Sequence, residues 1–466
     1  MLRSYDEHKE TSIPWTNRVP KSWLIQRGKS IFQNKKQLNT QKQCDNILSL
    51  TLKGVVNNSI DNPIGLVPKD YATYQIFEKD DLVFKLIDLE NYQTSRVGLV
   101  HELGIMSPAY IRIALRKKDD FNIKYFFYQY YDLYLRRVFN QIGAGVRSTL
   151  SAKELLNIEI LIPPREEQDQ IVRFLDWKLA KINKLIRAKK KQIALFNEQR
   201  QAIINNAVTK GLDSHAKLKE SGISGLGSIP STWSVKPLKY WAKSNLQSLN
   251  SSTEADFEFD YLDISSVGFG YVKQEPVHYR FDEAPSRARR IVKYGDTIIS
   301  TVRTYLRSMC FIDHDIEHCI VSTGFSVLSP IKETVLPEIL SYALSSDYFV
   351  NEVIKNSIGV SYPAINDKKL LSLKVALPST IEEQLQLYNE IKSKTTLLDK
   401  GILSIKQQVT TLKEFRTRLI SDVVTGKVDV RDIEIPEYEA DSDETIDDEI
   451  DDNLVLDEED GEMEVE

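Results

Sequence analysis

The segment Cys310-Phe311-Ile312-Asp313-His314-Asp315-Ile316-Glu317-His318-Cys319 brings thiols, imidazoles and carboxylates into one short stretch, the donor types of a zinc site. Its spacing is poor for a closed tetrahedral site. Cys310 and Cys319 read instead as small apolar strand residues flanking an exposed acidic turn. Gly28-Lys29-Ser30 ends like a phosphate-binding loop, but Trp23 stands where that loop needs its first glycine. Asn62-Pro63-Ile64-Gly65 lacks the second proline and the aromatic residue of the Asn-Pro-Pro-aromatic element of amino-methyltransferases, and reads as a turn. Gly268-Phe269-Gly270 is a lone Gly-x-Gly. Neither Gly-x-Ser-x-Gly nor His-Glu-x-x-His nor a Pro-Asp…Glu-x-Lys nuclease arrangement occurs. The sequence therefore offers little for catalysis.

Binding chemistry is better represented. Basic and aromatic residues interleave in Ser286-Arg287-Ala288-Arg289-Arg290 and Thr301-Val302-Arg303-Thr304-Tyr305-Leu306-Arg307. The first half carries Lys35, Lys36 and Lys42, then Ile142-Gly143-Ala144-Gly145-Val146-Arg147, a pattern echoed at Ile358-Gly359-Val360-Ser361-Tyr362. Glycines allow close backbone approach, and Arg or Tyr beside them can reach into a groove. The formal charge of −6 conceals a segregation. Of 67 carboxylates, 19 lie in residues 432–466, which hold no Lys or Arg, so residues 1–431 carry 61 basic and 48 acidic side chains, a net of +13. Such a body suits a polyanionic partner.

The elements that position these residues come in two copies. Val19-Pro20-Lys21-Ser22-Trp23 recurs as Ile229-Pro230-Ser231-Thr232-Trp233, and the run from Glu154 to Pro163 recurs from Lys369 to Pro378. Glu166-Glu167-Gln168 matches Glu382-Glu383-Gln384, and Val208-Thr209-Lys210-Gly211 matches Val424-Thr425-Gly426-Lys427. Landmarks kept in one order at nearly constant offset mark a duplication. Each copy reads as a mixed α/β globule followed by a long helix, about 166–210 and 382–425, with acidic residues in its first turn. Apolar residues repeat at 4-3 spacing through Leu175, Leu179, Ile182, Ile186, Ile193, Phe196, Ile203 and Ala207. The same spacing runs through Ile391, Leu398, Ile402, Ile405, Val409, Leu412, Leu419 and Val423, and Arg200 falls on Arg416. This is a coiled-coil seam, and antiparallel pairing of the two helices is expected. Gly401 interrupts the second helix at about 1 kcal/mol relative to alanine without breaking it.

These landmarks resemble the specificity (S) subunit of type I restriction–modification systems. The resemblance rests on the duplicated Pro-x-x-Trp, the apolar-Pro…Glu-Glu-Gln junctions, the helix ends and Gly225-Leu226-Gly227-Ser228-Ile229-Pro230-Ser231-Thr232-Trp233, and covers the chain to about residue 432. It implies an α+β fold: two α/β target recognition domains separated by an antiparallel two-helix coiled coil, with internal pseudo-two-fold symmetry and an acidic, disordered C-terminal tail. The expected boundaries are 1–160 and 213–376 for the domains, 161–212 and 377–431 for the helices, and 432–466 for the tail. It implies a non-catalytic chain in which each domain reads one half of a bipartite site in double-stranded DNA. Two modification subunits would dock on it and, through them, restriction subunits. S-adenosylmethionine, ATP and Mg would be held by those partners and no cofactor or metal by this chain. The expected DNA contacts are Lys35, Lys36 and Arg147 in the first half, and Arg287, Arg289, Arg290, Arg303, Tyr305, Arg307 and Tyr362 in the second.

Two other classes stay open on the residues alone, a self-sufficient methyltransferase or nuclease with two DNA-reading arms, and a coiled-coil scaffold that binds only proteins. Cysteines limited to Cys44, Cys310 and Cys319 suit a reducing cytoplasm, and no apolar run is long enough to span a membrane.

Overall fold

The computed structural model describes all residues except 1–2, 52–53, 60–67, 69, 88, 90–95, 144–148, 212–214, 315–317 and 439–466. The fold is α+β, and the chain forms two compact units: Met1–Lys190 with Gln407–Glu466, and Lys191–Lys406.

In the first unit, strands Gly54–Asn58, Ile47–Thr51, Gly104–Met106 and Gln75–Phe77 form one sheet in that order, with a single parallel pair, Ile47 beside Ile105. A second sheet runs Phe32–Asn34, Ile111–Leu115, Leu82–Lys85, Arg96–Leu99, all antiparallel. Helix Ile123–Leu135, capped by Asn122, buries an aromatic-rich face of Tyr125, Phe126, Tyr130 and Tyr131 against this sheet's Phe32 and Phe84. Inside lies a fully buried ion pair, Arg112 Nε to Asp81 Oδ2 at 2.6 Å.

The second unit repeats the plan. Its sheets are Val277–Arg280, Glu258–Leu262, Cys319–Ser322, Ala288–Ile291, again with one parallel pair, and Ala242–Ser244, Phe325–Pro330, Thr297–Ser300, Met309–Phe311. Helices Pro337–Leu344, Asp347–Lys355 and Asp367–Ser372 cover the latter. Two small ribbons complete each unit. They are His8–Glu10 with Arg18–Pro20 and Leu24–Arg27 with Glu159–Ile162 in the first, Leu218–Glu220 with Ser228–Pro230 and Trp233–Pro237 with Lys374–Pro378 in the second.

The long helices are α1 (Arg165–Lys210) and α2 (Ile381–Val424). The duplicated motifs are the joints that hold them. Trp23 Nε1 donates to Glu167 at 2.8 Å, and Trp233 Nε1 to Glu383 at 3.1 Å. Gln168 Nε2 donates to the Pro163 carbonyl while its Oε1 accepts from Asn122 N at the start of Ile123–Leu135. Gln384 does the same with Pro378 and Leu336 N, the cap of Pro337–Leu344. Lys9 and Lys219 each donate to the carbonyl of the motif tryptophan. A Glu-Gln pair thus ties the first turn of each long helix to its globule.

The helix ends close differently. Gly211, at φ +74, packs on Pro230 and Trp233, and Gly426, at φ +72, packs on Pro20 and Trp23. The C-terminal end of α1 therefore belongs with the second globule and that of α2 with the first. Within the first unit the early part of α1 meets the late part of α2, with Leu175, Leu179, Ile182 and Ile186 in one core with Val409, Leu419 and Val423. Asn183 accepts from Arg416 Nη1 at 3.3 Å across this seam. In the second unit the late part of α1 meets the early part of α2: Ile204 and Ala207 share a core with Leu387 and Ile391, and Arg200 Nε donates to Asp399 at 2.9 Å. These two polar pairs are repeat equivalents, Asn183 matching Asp399 and Arg416 matching Arg200. All the expected seam positions are buried or half-buried. Gly401 has a specific reason: a Cβ there would lie 2.8 Å from the Phe196 ring.

The acidic segment departs from expectation at its start. Ile433, Ile435 and Tyr438 pack against the first unit's core, because apolar residues alternate with the carboxylates there. The rest of the tail, 439–466, lies outside the described residues.

Candidate nucleic-acid interface

The second unit brings four of the expected contact residues into one surface. Strand Thr297–Ser300 runs out through Val302, which bridges to Ala364, into the short turn Thr304–Leu306 and back into Met309–Phe311. Arg303 (φ +47) and Arg307 (φ +56) flank that turn, both left-handed. Non-glycine residues are uncommon in that region, where asparagine or glycine would be less strained. Two arginines in that conformation bracket the turn, Arg303 half-buried and Arg307 exposed, and strain of this kind concentrates at functional sites.

A second loop stands beside the turn. Ile358 and Ala364 exchange both backbone hydrogen bonds, at 2.8 and 3.0 Å, closing a short two-stranded turn. Gly359 makes it possible: its φ is +128, and a Cβ would sit 2.9 Å from the Tyr362 carbonyl oxygen. Thr304 Oγ1 and Ser357 Oγ, 2.8 Å apart, fasten the two loops, as does Ile365 N donating to the Thr301 carbonyl. The Arg303 guanidinium lies 4.7 Å from the centroid of the Tyr362 ring. The resulting surface exposes Tyr305, Leu306, Arg307, Ile358, Val360 and Tyr362, with Val360 wholly in solvent. Cations flanking accessible aromatic and aliphatic groups match a nucleic acid, which offers phosphates outside and base edges within a groove.

The Arg287–Arg290 cluster divides. Arg287 is exposed, and its carbonyl accepts from Thr323 N; Gly324, next in the chain, accepts from Thr301 N, which links this residue to the turn. Arg289 stacks over Phe281 at 4.7 Å. Arg290 faces inward: it donates to Asn245 Oδ1 at 2.5 Å and to the Phe325 carbonyl, and lies 3.7 Å from Asp367. Burial draws its pKa below the usual guanidinium value. A plain strand period does not identify this residue: a β-bulge shifts the register between Ala288 and Arg290, so Ala288 packs with Phe259, Tyr261 and Ile320 while Arg290 turns toward Asn245 and Phe325.

In the first unit, Lys35 Nζ meets Glu78 at 2.7 Å, and this hydrogen bond holds the Glu78 carboxyl below its ordinary pKa. Lys36 is exposed beside it, and Lys42 pairs with Asp70 at 3.5 Å. Arg147 lies outside the described residues. Sequence reasoning passed over Thr304 and Ser357, whose only signal is their place beside the arginine and glycine motifs.

Cys310 and Cys319 are buried strand residues, with thiol pKa values pushed up by burial to about 11 and about 12. His318 packs edge-on against Phe257, and among the described residues no three His, Cys, Asp or Glu side chains converge on a metal position. No helix among them is long and apolar enough to cross a membrane.

A family model described as the type I restriction modification DNA specificity domain matches residues 25–195. The type I restriction enzyme MjaVIII specificity subunit of Methanocaldococcus jannaschii is 28% identical over 343 residues, 71% of this chain and 76% of the relative. The provisionally named type I restriction enzyme MjaX specificity subunit of the same organism is 25% identical over 460 residues, 92% of this chain and 99% of the relative. Among solved structures, a chain from work on complex assembly and conformational transition of the type I R-M system superposes with a TM-score of 0.57 at 15% identity. It covers 89% of this chain and 100% of that one.

Proposed function

We propose, from the premise that this chain belongs to the DNA specificity subunits of type I restriction–modification systems, that each globule reads one half of a bipartite site in double-stranded DNA and that α1 and α2 form the coiled-coil spacer between the halves. The chain is the specificity subunit and not the catalyst. Residues 1–160 and 213–376 are the two recognition domains, and the helical segments also carry two modification subunits and, through them, the restriction subunits. S-adenosylmethionine, ATP and Mg act on those partners in the cytoplasm, where the DNA is. The observation that supports this reading best is the repetition itself: each unit has the same two four-stranded sheets in the same order, fastened to the start of a long helix by the same Trp–Glu and Gln–Pro bonds.

The division of labour follows from chemistry. Lys and Arg on phosphates supply salt-dependent affinity, while a few side chains on base edges supply discrimination at about 1–3 kcal/mol for each good bidentate pair. In the second domain we assign the first role to Arg287, Arg303 and Arg307, with Tyr305 and Tyr362 at the groove, and Arg289 and Arg290 supporting them from the sheet. Lys35, Lys36 and Arg147 take the phosphate role in the first. Joining two short readings through a stiff spacer raises the effective concentration of the second contact.

Methylome mapping of cells carrying the chain with its modification partner tests this. Replacing residues 225–375 by another recognition domain is expected to change one half-site only. Removing one heptad from each helix, roughly 10 Å of length, is expected to change the gap and keep both half-sites. Altered half-sites with an unchanged gap would overturn the spacer assignment.

A further inference from the structure

We infer that Val360, supported by Ile358, reads the C5-methyl group of a thymine in the major groove, making the 357–364 loop a specificity element of the second domain. This rests on the DNA-reading role proposed above and goes beyond it by naming a reader and the chemical group it reads.

Isolated exposed aliphatic residues are ordinary on protein surfaces. These are not isolated. Val360 is 101% and Ile358 84% exposed, Tyr362 (62%) shares their loop with the Arg303 guanidinium 4.7 Å from its ring, and Tyr305 (51%) and Leu306 (43%) are exposed on the turn fastened to that loop. The loop is also tied down at its base and side. Its base is closed by the reciprocal Ile358–Ala364 hydrogen bonds, its corner requires Gly359, and its side is braced by Tyr362 under Arg303 and by Ser357 on Thr304. An exposed apolar tip beside the Arg303 cation, on a surface that also carries Arg307, suits a partner that offers an apolar spot next to negative charge.

DNA presents one such spot on its groove edges. A two-stranded turn enters the major groove, about 12 Å wide, without deforming the duplex, whereas the minor groove at about 6 Å must be forced open to take one. In the major groove the thymine C5-methyl is the one methyl group that the base edges present. Val360 is short and β-branched, so it meets a methyl group without a long side chain to order. Arg303 and Arg307 reach the phosphates on either side, while Tyr362, already stacked, fixes the tip.

The test uses the complete chain with its modification partner and the site that complex methylates. Duplexes in which single thymines are replaced by uracil remove one methyl group each. One thymine in the second domain's half-site is expected to show a loss of about fourfold in affinity on conversion to uracil, the worth of one buried methyl-sized group. Val360→Ser is expected to give a similar loss on the thymine duplex and no further loss on the uracil duplex, with an unchanged melting temperature because the side chain contacts nothing in the fold. A half-site without thymine, uracil substitutions all neutral, or equal losses by Val360→Ser on both duplexes would overturn the assignment. A complex that binds its site no better than a scrambled duplex would instead overturn the DNA-reading role itself.

Discussion

Arg290 and the Arg303–Arg307 pair look alike as sequence and separate as structure, so their variants should fail in different ways. Arg290 spans the two sheets of its unit, from strand Ala288–Ile291 to Asn245 and Phe325, and its side chain is only 18% exposed. Arg290→Met removes two charged hydrogen bonds and leaves Asn245 and Asp367 to rearrange. At about 1.5–3 kcal/mol for a bond to a charged group, with incomplete additivity, the expected loss is about 3 kcal/mol. A unit the size of Lys191–Lys406 falls roughly 2–4 °C for each kcal/mol, giving a drop of about 6–12 °C in its transition. Arg303→Met removes an exposed contact with Tyr362 worth about 0.5–1 kcal/mol, and Arg307→Met removes less. The double variant of Arg303 and Arg307 should instead lose two phosphate contacts, lowering the slope of log affinity against log salt by about 1.8. Its disadvantage against the parent then shrinks about twelvefold between about 50 and 200 mM salt. Calorimetric melting and filter binding of the complex at the two salt concentrations read both effects. An Arg290→Met chain that melts like the parent, or an Arg303/Arg307 double variant with an unchanged salt slope, would refute the separation.

The buried Asp81 carboxyl has its pKa raised by burial, against the pull of Arg112. A folded pKa above the unfolded one means stability that is whole below the unfolded pKa and lost as pH rises through the folded value. Arg112→Met should therefore destabilise by about 3–5 kcal/mol at neutral pH and recover toward about pH 4, with Asp81→Asn restoring it at neutral pH. Urea titrations at several pH values check this, and a pH-independent deficit would contradict it. Trp23→Phe, which removes a donor to the buried Glu167, should lower stability by about 1.5–3 kcal/mol. Trp233→Phe, facing the half-exposed Glu383, should lower it by about 0.5–1.5 kcal/mol, and equal losses in denaturant unfolding would be the contrary result. Because Cys310 and Cys319 are buried with thiols at about 11 and about 12, the native chain at about pH 8 should leave both unlabelled by a thiol reagent until it is denatured.

Much of the architecture was legible in the residues because it is periodic or repeated. The 4-3 spacing placed the seam positions, and the matched landmarks proved to be hydrogen-bonded in pairs, Trp to Glu and Gln to Pro. The seam's partition was less accessible. That Gly211 closes on Trp233 and Gly426 on Trp23 depends on contacts between segments far apart in the chain or across a linker, which local pattern does not carry. At the candidate interface, charge type alone put Arg290 beside Arg287; the β-bulge that turns Arg290 inward depends on pairing with the distant strand Cys319–Ser322, which local pattern does not carry. In sequence the apolar tip at Val360 is only an echo of the Gly143–Arg147 pattern. Its significance lies in exposure, which composition does not record.

Phe196 seated against Gly401 has a consequence for how the two helices are aligned. Aliphatic side chains that repeat every seven residues fit their partners almost as well after a slip of one repeat, so an all-aliphatic stripe fixes direction poorly and alignment worse. A large ring that fits only where the opposite helix has no side chain acts as a key in a keyway. The Arg200–Asp399 bond a turn away forbids the same slip electrostatically. Alignment is thereby quantised to one setting, and a gauge built on this joint would return the same reading in every copy of the molecule.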